Sequence, residues 1–508
     1  MFPMLILSKI SLLLSLHFFA VVSGFLTDNT VGHTDNPTAL LALATSNQDT
    51  ATASAKASSS RRIVNTVEDM KAANVSAGAT VITKGFYNAH DYGGARYTVS
   101  KSPLYPTETN LSIPLSNGLY ANLSFGKKSI INVEVLGIKD GFIAGALNAV
   151  MPHLSGKIDG IKFPNGNYYV EDAVVLTSVN LYGTDNSTII VDKNYASNCF
   201  AVFRTDTDIS NSISFYNLHM VANIDNNVAR KDTITLLYLR NIKGCKIYDC
   251  TFQANESADI NPFVAVNLVW FQTDYASNVT VKNSNFVNNT GLYYQTGSDI
   301  KLHGGCLWFS GETLDARQSN LTISNCVFDS TVADEHVGIW NGHFSDVNLS
   351  HCSFSSNSKH ISDNFLTFCS ASYDSVTISD IDMAINSSTM YPMKFTNFLE
   401  SSNFDISNCN LTFNFEKKSD PAEHAFSVLY IDEDWLAGTD IPVEITFRNS
   451  TFVSASDNVI YGSLIQCHNT TQKTLRFIDC TTNIQCVREV ISMSGNNNIS
   501  IENSPSFQ

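Results

Sequence analysis

The sequence predicts an all-β protein, a right-handed parallel β-helix (solenoid) of about ten or more coils with a small N-terminal β cap and a capping helix. Three observations predict it. A short phrase recurs through the second half: VKNSNF at 281–286, ISNCVF at 323–328, LSHCSF at 349–354, ISNCNL at 406–411 and FRNSTF at 447–452. Weaker copies centre on Asn217, Asp249, Asp380, Asp479 and Asn503. The centre is always Asn, Asp or His, the non-glycine residues most at home in the left-handed backbone region that a sharp bend between strands requires. Around each centre, apolar positions alternate with a period of two, as in strands with one buried face. A β-sandwich is the competing fold, but its turns recur at shorter intervals.

From the N-terminus, residues 1–24 read as a signal peptide. Lys9 precedes an apolar run from Ile10 to Val22, and Val22, Ser23 and Gly24 offer a small-residue cleavage site. The run is short and interrupted by His17, which argues against a membrane anchor. No later stretch is apolar enough to span a bilayer, so the mature chain is expected to be secreted, with no membrane partner after cleavage. Residues 25–62, rich in Ala, Ser and Thr, read as a flexible leader or linker. Residues 63–130 read as a small β neck or cap: a short helix near Asp69, then strands separated by Gly turns. Residues 131–508 read as the solenoid. Ile131–Gly137 reads as a strand, and Phe142–Leu154 has helical spacing and could close the open end of the coil stack.

The neck residues Asp91, Tyr92, Gly93 and Gly94 carry a resemblance, together with Phe163, Pro164, Gly166, Tyr168, Tyr169, Leu181 and Gly183. With these the chain resembles the pectate-lyase-like superfamily over roughly residues 65–508, and its neck is similar to that of tailspike-type proteins that act on polysaccharides. The resemblance implies the fold. It leaves the chemistry open, because the superfamily includes lyases, hydrolases, epimerases and inactive binders. The Asp-Asp-Thr stretch common at the start of the capping helix is replaced here by Asp140, Gly141 and Phe142. The Gly-His-Gly and Arg-Ile-Lys motifs of polygalacturonases are absent, as are the Trp-Ile-Asp-His and Arg-X-Pro-X-X-Arg motifs of pectate lyases.

A net charge of -16 argues against nucleic acid as a partner, since phosphate binding needs a basic face. Only 15% of residues are charged, which suits a neutral polar surface of the kind that meets carbohydrate. Asn-X-Ser/Thr sequons such as Asn74, Asn186, Asn320 and Asn449 would be glycosylated in a eukaryotic secretory pathway. Of 11 cysteines, Cys250, Cys326, Cys352, Cys409 and Cys480 each follow a bend centre directly, in a column shared with Ser284, Ile381 and Ser450. The alternation points this column inward, so buried thiols are expected there. Cys245 with Cys250 and Cys480 with Cys486 are the expected local bridges.

Before each bend phrase lies another strand, and alignment of these strands gives an outward row of Trp308, Gly338, Thr367, Lys394 and Tyr430. Trp340, Thr396 and Asp432 would face out two residues along. Long loops at 290–305 and 416–424 would wall this sheet into a cleft. Trp308, Trp340 and Tyr430 are the candidate substrate-binding platforms. Asp334 and Glu335 (with His336), and Asp432 and Glu433, are the candidate catalytic carboxylates, because glycoside hydrolysis needs two across the bond. Lys394 is the candidate base of a lyase. No cofactor is implied, although the acidic clusters could take calcium through their carboxylates. No zinc spacing is present. The expected function is a secreted protein that binds, and in one version degrades, extracellular polysaccharide as a glycoside hydrolase or polysaccharide lyase. The alternative is a non-catalytic adhesin or structural solenoid. A homo-oligomer, such as a tailspike-like trimer, stays open.

Overall fold

The structure is a computed structural model. It describes residues 60–507 except 127–128, 192–200, 206–211, 225–233, 257–265, 289–292, 295–300, 303–304, 331–334, 357–363, 386–390, 414–426, 432–440, 456–462, 468–471, 487–489 and 494–496. The expected signal peptide and nearly all of the leader lie outside the described residues.

A five-stranded sheet comes first, from Arg61–Val64, Thr80–Thr83, Arg96–Ser100, Ser112–Pro114 and Tyr120–Leu123. Its helix α1, Val67–Ala72, starts at a reciprocal cap: the Asp69 amide donates to Thr66 Oγ1 and the Thr66 amide to the Asp69 carboxylate. Asp91 organises the following loop by accepting from the amides of Phe86, Tyr87, Asn88 and Gly93. Burial alone would raise its pKa, but these four donors outweigh burial and hold it low. The Tyr87 hydroxyl and the Asn110 amide tie the sheet to the carbonyls of Gly137 and Leu136, where the solenoid begins. Residues 131–137 differ from the single strand expected. A short strand, Ile130–Asn132, gives way to a 3-10 turn, Val133–Leu136, which ends in left-handed Gly137.

Helix α2, Ala144–Leu154, packs Leu147, Val150, Met151 and Leu154 out of solvent. Glu171 accepts from its first amides, and Asn148 bonds both the Ala173 carbonyl and the Val175 amide. The helix therefore satisfies backbone groups of an edge strand that would otherwise be open.

From residue 130 each coil contributes to parallel sheets: a 22-stranded sheet and an 11-stranded sheet among the described residues. The larger sheet has two faces, called here the first and second sheets. They merge because two 16-residue strands, Glu335–Ser350 and Asn364–Ser379, run through the bend between them. The 11-stranded array is the third sheet. Pairing is parallel between successive coils in all three, which makes the chain a parallel β-helix.

The bend between the second and third sheets lies where the repeated phrase puts it. Asn217, Asp249, Asn283, Asn325, His351, Asp380, Asn408, Asn449, Asp479 and Asn503 all have positive φ, between 47° and 57°. Their side chains bond from coil to coil: Asn283 to Asp249 at 3.0 Å, Asn325 to Asn283 at 3.2 Å and Asn408 to Asp380 at 3.2 Å. Asn325→Ala should therefore cost about 2 kcal/mol, from left-handed strain plus a lost bond, and Asn325→Gly less than about 1. The urea midpoint checks the order, and equal losses would refute the strain argument.

The next residue points inward. Cys250, Ser284, Cys326, Cys352, Ile381, Cys409, Ser450 and Cys480 are all buried. Every cysteine of this column donates to the carbonyl two residues back, at 3.2–3.4 Å, and Ser284 and Ser450 do the same at 2.9 Å. A small donor fits there, which explains the exchange of Cys with Ser. Every described cysteine is a free thiol, so the expected bridges Cys245–Cys250 and Cys480–Cys486 are not formed. Closeness in sequence misled, because a bend separates Cys245, on its strand, from Cys250. Inside the third sheet, Phe252, Phe286, Phe328 and Phe354 stack ring on ring at 5.5, 5.0 and 4.8 Å.

Candidate functional site

The outward row expected on the first sheet is present in register. Trp308 pairs with Gly338, Gly338 with Thr367, Thr367 with Lys394 and Lys394 with Tyr430. It extends upstream through Trp270 and Tyr238 to Arg204. The flanking positions, such as Leu307 and Phe309 or Val337 and Ile339, are buried in the core, so the row between them faces out.

Four aromatic residues cover this face. Ring centroids lie 5.2 Å apart from Tyr238 to Trp270, 6.0 Å from Trp270 to Trp308 and 6.4 Å from Trp308 to Trp340. Tyr238 and Trp270 are covered and, with Ala201, form an apolar cluster separate from the main core. Trp308 and Trp340 are half-buried and keep surface available. Glycines make room for the indoles. A Cβ on Gly338 would come 2.6 Å from Trp340 Nε1 and 2.7 Å from Glu335 Oε2, and one on Gly305 would strike the Trp308 ring.

The polar atoms of the face are mostly paired across coils. The Tyr238 hydroxyl donates to Gln272, Trp270 Nε1 to Ser310 Oγ at 2.9 Å and Trp340 Nε1 to Glu335 Oε2 at 3.1 Å. Two donors are not paired: Trp308 Nε1 and Thr367 Oγ1 are buried without a partner. Such groups cost stability when buried unpaired.

Of the sequence-predicted residues, Trp308, Trp340, Glu335, Lys394 and Tyr430 share this one face. Glu335 is buried with its carboxylate against Trp340. Lys394 is half-buried between Thr367 and Tyr430, and Tyr430 stacks on Tyr391 at 4.0 Å. Asp334, Asp432 and Glu433 lie outside the described residues, as does the 416–424 loop. Part of the other loop forms a hairpin, Tyr293–Tyr294 against Lys301–Leu302. His336 departs from expectation. It lies inside the solenoid, fully buried, edge-on to Phe354 and Phe365, so it serves no acid–base chemistry on the face. Val337 is also buried in the core, so two consecutive residues point inward and break the alternation. Among the described residues no three His, Cys, Asp or Glu side chains are grouped to hold a metal ion. The calcium expectation rested on Asp334 with Glu335 and on residues 432–434, of which only Glu335 is among the described residues.

Sequence reasoning missed Tyr238 and Trp270, although the patterns TLLYL at 235–239 and NLVWF at 267–271 repeat that around Trp308. It also missed a polar group on the second sheet. His343 bonds Ser372 Oγ at 2.8 Å and Asp374 Oδ2 at 3.0 Å, with Glu400 3.6 Å away. Ser372 is buried beneath, so its hydroxyl orients the ring and does not meet solvent.

Fold and face together define a parallel β-helix with a tryptophan-lined outer sheet. No family model matches the chain, and no curated protein matches it. Solved structures are similar to it in fold. The enzymatically active domain of tailspike protein 4 from bacteriophage CBA120 shares 11% identity, covering 87% of this chain and 53% of that one, with a TM-score of 0.44. WceF from Pantoea stewartii, described as a glycan biofilm modifying enzyme with a tailspike-like fold, shares 11% identity, covering 76% of this chain and 47% of that one, with a TM-score of 0.36. The A-module of the mannuronan C-5 epimerase AlgE6 from Azotobacter vinelandii shares 13% identity over 73% of this chain and 98% of that one, with a TM-score of 0.37. The chain thus spans about half the length of the first two.

Proposed function

We propose that the protein is secreted and binds an extracellular polysaccharide along the outer face of the first sheet. The observation that carries this reading is the run of aromatic side chains on successive coils from Tyr238 to Trp340, of which Trp308 and Trp340 keep exposed surface. Trp308 and Trp340 would stack against sugar rings. Lys394 would meet a carboxylate or hydroxyl. The apolar leader at residues 10–22 supports export.

Cleavage is a second reading, favoured by one observation. Glu335 is a buried carboxyl on the binding face, 3.1 Å from Trp340 Nε1. A hydrolase would need a second carboxylate roughly 5–9.5 Å away, a role open to Asp334, Asp432 or Glu433.

Trp308→Ala and Trp340→Ala should each weaken binding to the preferred polymer by about tenfold, roughly 1.4 kcal/mol. Affinity electrophoresis across neutral and uronic-acid polysaccharides measures it. Unchanged mobility for both variants would remove the proposal. Reducing ends released by the native chain but not by Glu335→Gln would establish hydrolysis. Unsaturated products would direct attention to Lys394.

A further inference from the structure

The second sheet carries another row, on the strands that follow those of the aromatic face. Five successive strands align Lys162, Tyr182, Tyr216, Tyr248 and Lys282 in one register line. The residues before them, Ile161, Leu181, Phe215, Ile247 and Val281, are buried, so this row faces out. All three tyrosines are half-exposed. Tyr182 and Tyr216 stack with centroids 4.9 Å apart and rings 9° from parallel, and Tyr248 turns edge-on at 5.8 Å. Stacking along the coil axis points ring edges and hydroxyls outward. Lys246, two residues before Tyr248 on the same face, is exposed, as is Lys282.

Charge is unusual here. In a chain of net charge -16, three lysines flank one aromatic row. The acids bordering the row are engaged by neighbours: Asp159 by the Tyr182 hydroxyl at 2.6 Å, Asp185 by Asn217 at 2.7 Å and Asp249 by Asn283 at 3.0 Å. Their hydrogen-bonding capacity is partly spent within the protein, while the ammonium groups of Lys246 and Lys282 stand in solvent.

We infer that this row is a binding surface for an anionic saccharide chain, distinct from the face on the first sheet. The hydroxyls of Tyr216 and Tyr248 and the ammonium groups are donors suited to uronate carboxylates, and the ring of Tyr248, turned from the stack, offers an apolar surface to a sugar. Spacing selects a saccharide over an acidic peptide. The row repeats once per coil, about 4.8 Å, close to the advance of one sugar in an extended polysaccharide, whereas an extended peptide advances about 3.3 Å per residue. A sugar chain lying along the solenoid axis therefore keeps step with the row, and a peptide does not.

The test uses the full chain and an oligogalacturonate of about six sugars, followed by titration calorimetry at low salt and at about 0.5 M salt. The native chain should bind, and salt should weaken it. The triple variant Lys162→Gln, Lys246→Gln, Lys282→Gln should lose about tenfold in affinity and most of its salt dependence. Tyr216→Ala should lose affinity too, and Tyr216→Phe less. Should the triple variant fold poorly, as read by its urea midpoint, Lys246→Glu alone replaces it with an expected loss of about threefold. No binding by the native chain, or affinity kept within twofold by a folded variant, would overturn the inference. Trp308→Ala is titrated in parallel. Oligogalacturonate binding lost in Trp308→Ala alone would also overturn it, by assigning the anionic chain to the first sheet. Neutral-polymer binding lost in Trp308→Ala and kept in the lysine variant would leave the two faces independent.

Discussion

His336→Leu is expected to remove most of the acid sensitivity of this protein between pH 6.5 and 4. His336 is buried in the core with neither ring nitrogen hydrogen-bonded. Burial pushes its pKa down to about 4 from the ordinary histidine range, against a weaker opposing pull from the backbone of Asn364 and Ser355 and from Asp329. The folded state therefore holds a neutral ring, while the unfolded chain takes up a proton below pH 6.5. Stability is fully present above that pH and is lost as pH falls toward 4, by about 3 kcal/mol in all. Leucine removes the titration and also two polar atoms that are costly to bury unpaired, worth about 1–3 kcal/mol. Urea unfolding followed by tryptophan fluorescence at pH 7, 6, 5 and 4 should give a difference between variant and native chain that grows as pH falls. A difference independent of pH would show that His336 does not carry the sensitivity. Glu134, raised by burial, and His219, lowered by burial, are common to both chains and cancel in the difference. Asp91, held low, titrates below this window.

Phe286→Ala should cost about 3–5 kcal/mol. Phe286 is fully buried, with Phe252 5.5 Å away on one coil and Phe328 5.0 Å away on the next. Alanine removes both stacking partners at once and leaves a cavity in the middle of the stack. Because each coil leans on its neighbours, the weakened interface should also split the urea transition in two, with the coils on either side melting separately. Phe286→Leu should cost less than about 1.5 kcal/mol and keep one transition. A single transition with a loss under about 1 kcal/mol in the alanine variant would contradict the stacking account.

The bends were the most legible part of the fold, because a left-handed residue is a local demand that Asn, Asp and His answer one position at a time. The row from Trp308 to Tyr430 was legible for a similar reason, since apolar alternation sets register wherever one face is buried. His336 was not legible. Its direction depends on a local break in alternation, and composition alone made it look like a partner for Asp334 and Glu335. The tyrosine row was not legible either, because its members lie 34 or fewer residues apart in sequence and meet only after the coils stack. The thiols were legible in direction and not in pairing.

On the export route proposed above, those thiols carry a consequence. A chain that folds on its way out of the cell meets oxidants while its cysteines are still exposed. The reduced column can survive only if each coil closes on the one before it faster than two thiols find each other. A solenoid favours that outcome, since each closure involves neighbours in sequence and loops of modest length. Once closed, burial raises the pKa of Cys245, Cys250, Cys409 and Cys480, and little thiolate remains to react. On the proposed export route, the column would stay reduced only where coil closure outpaces oxidation.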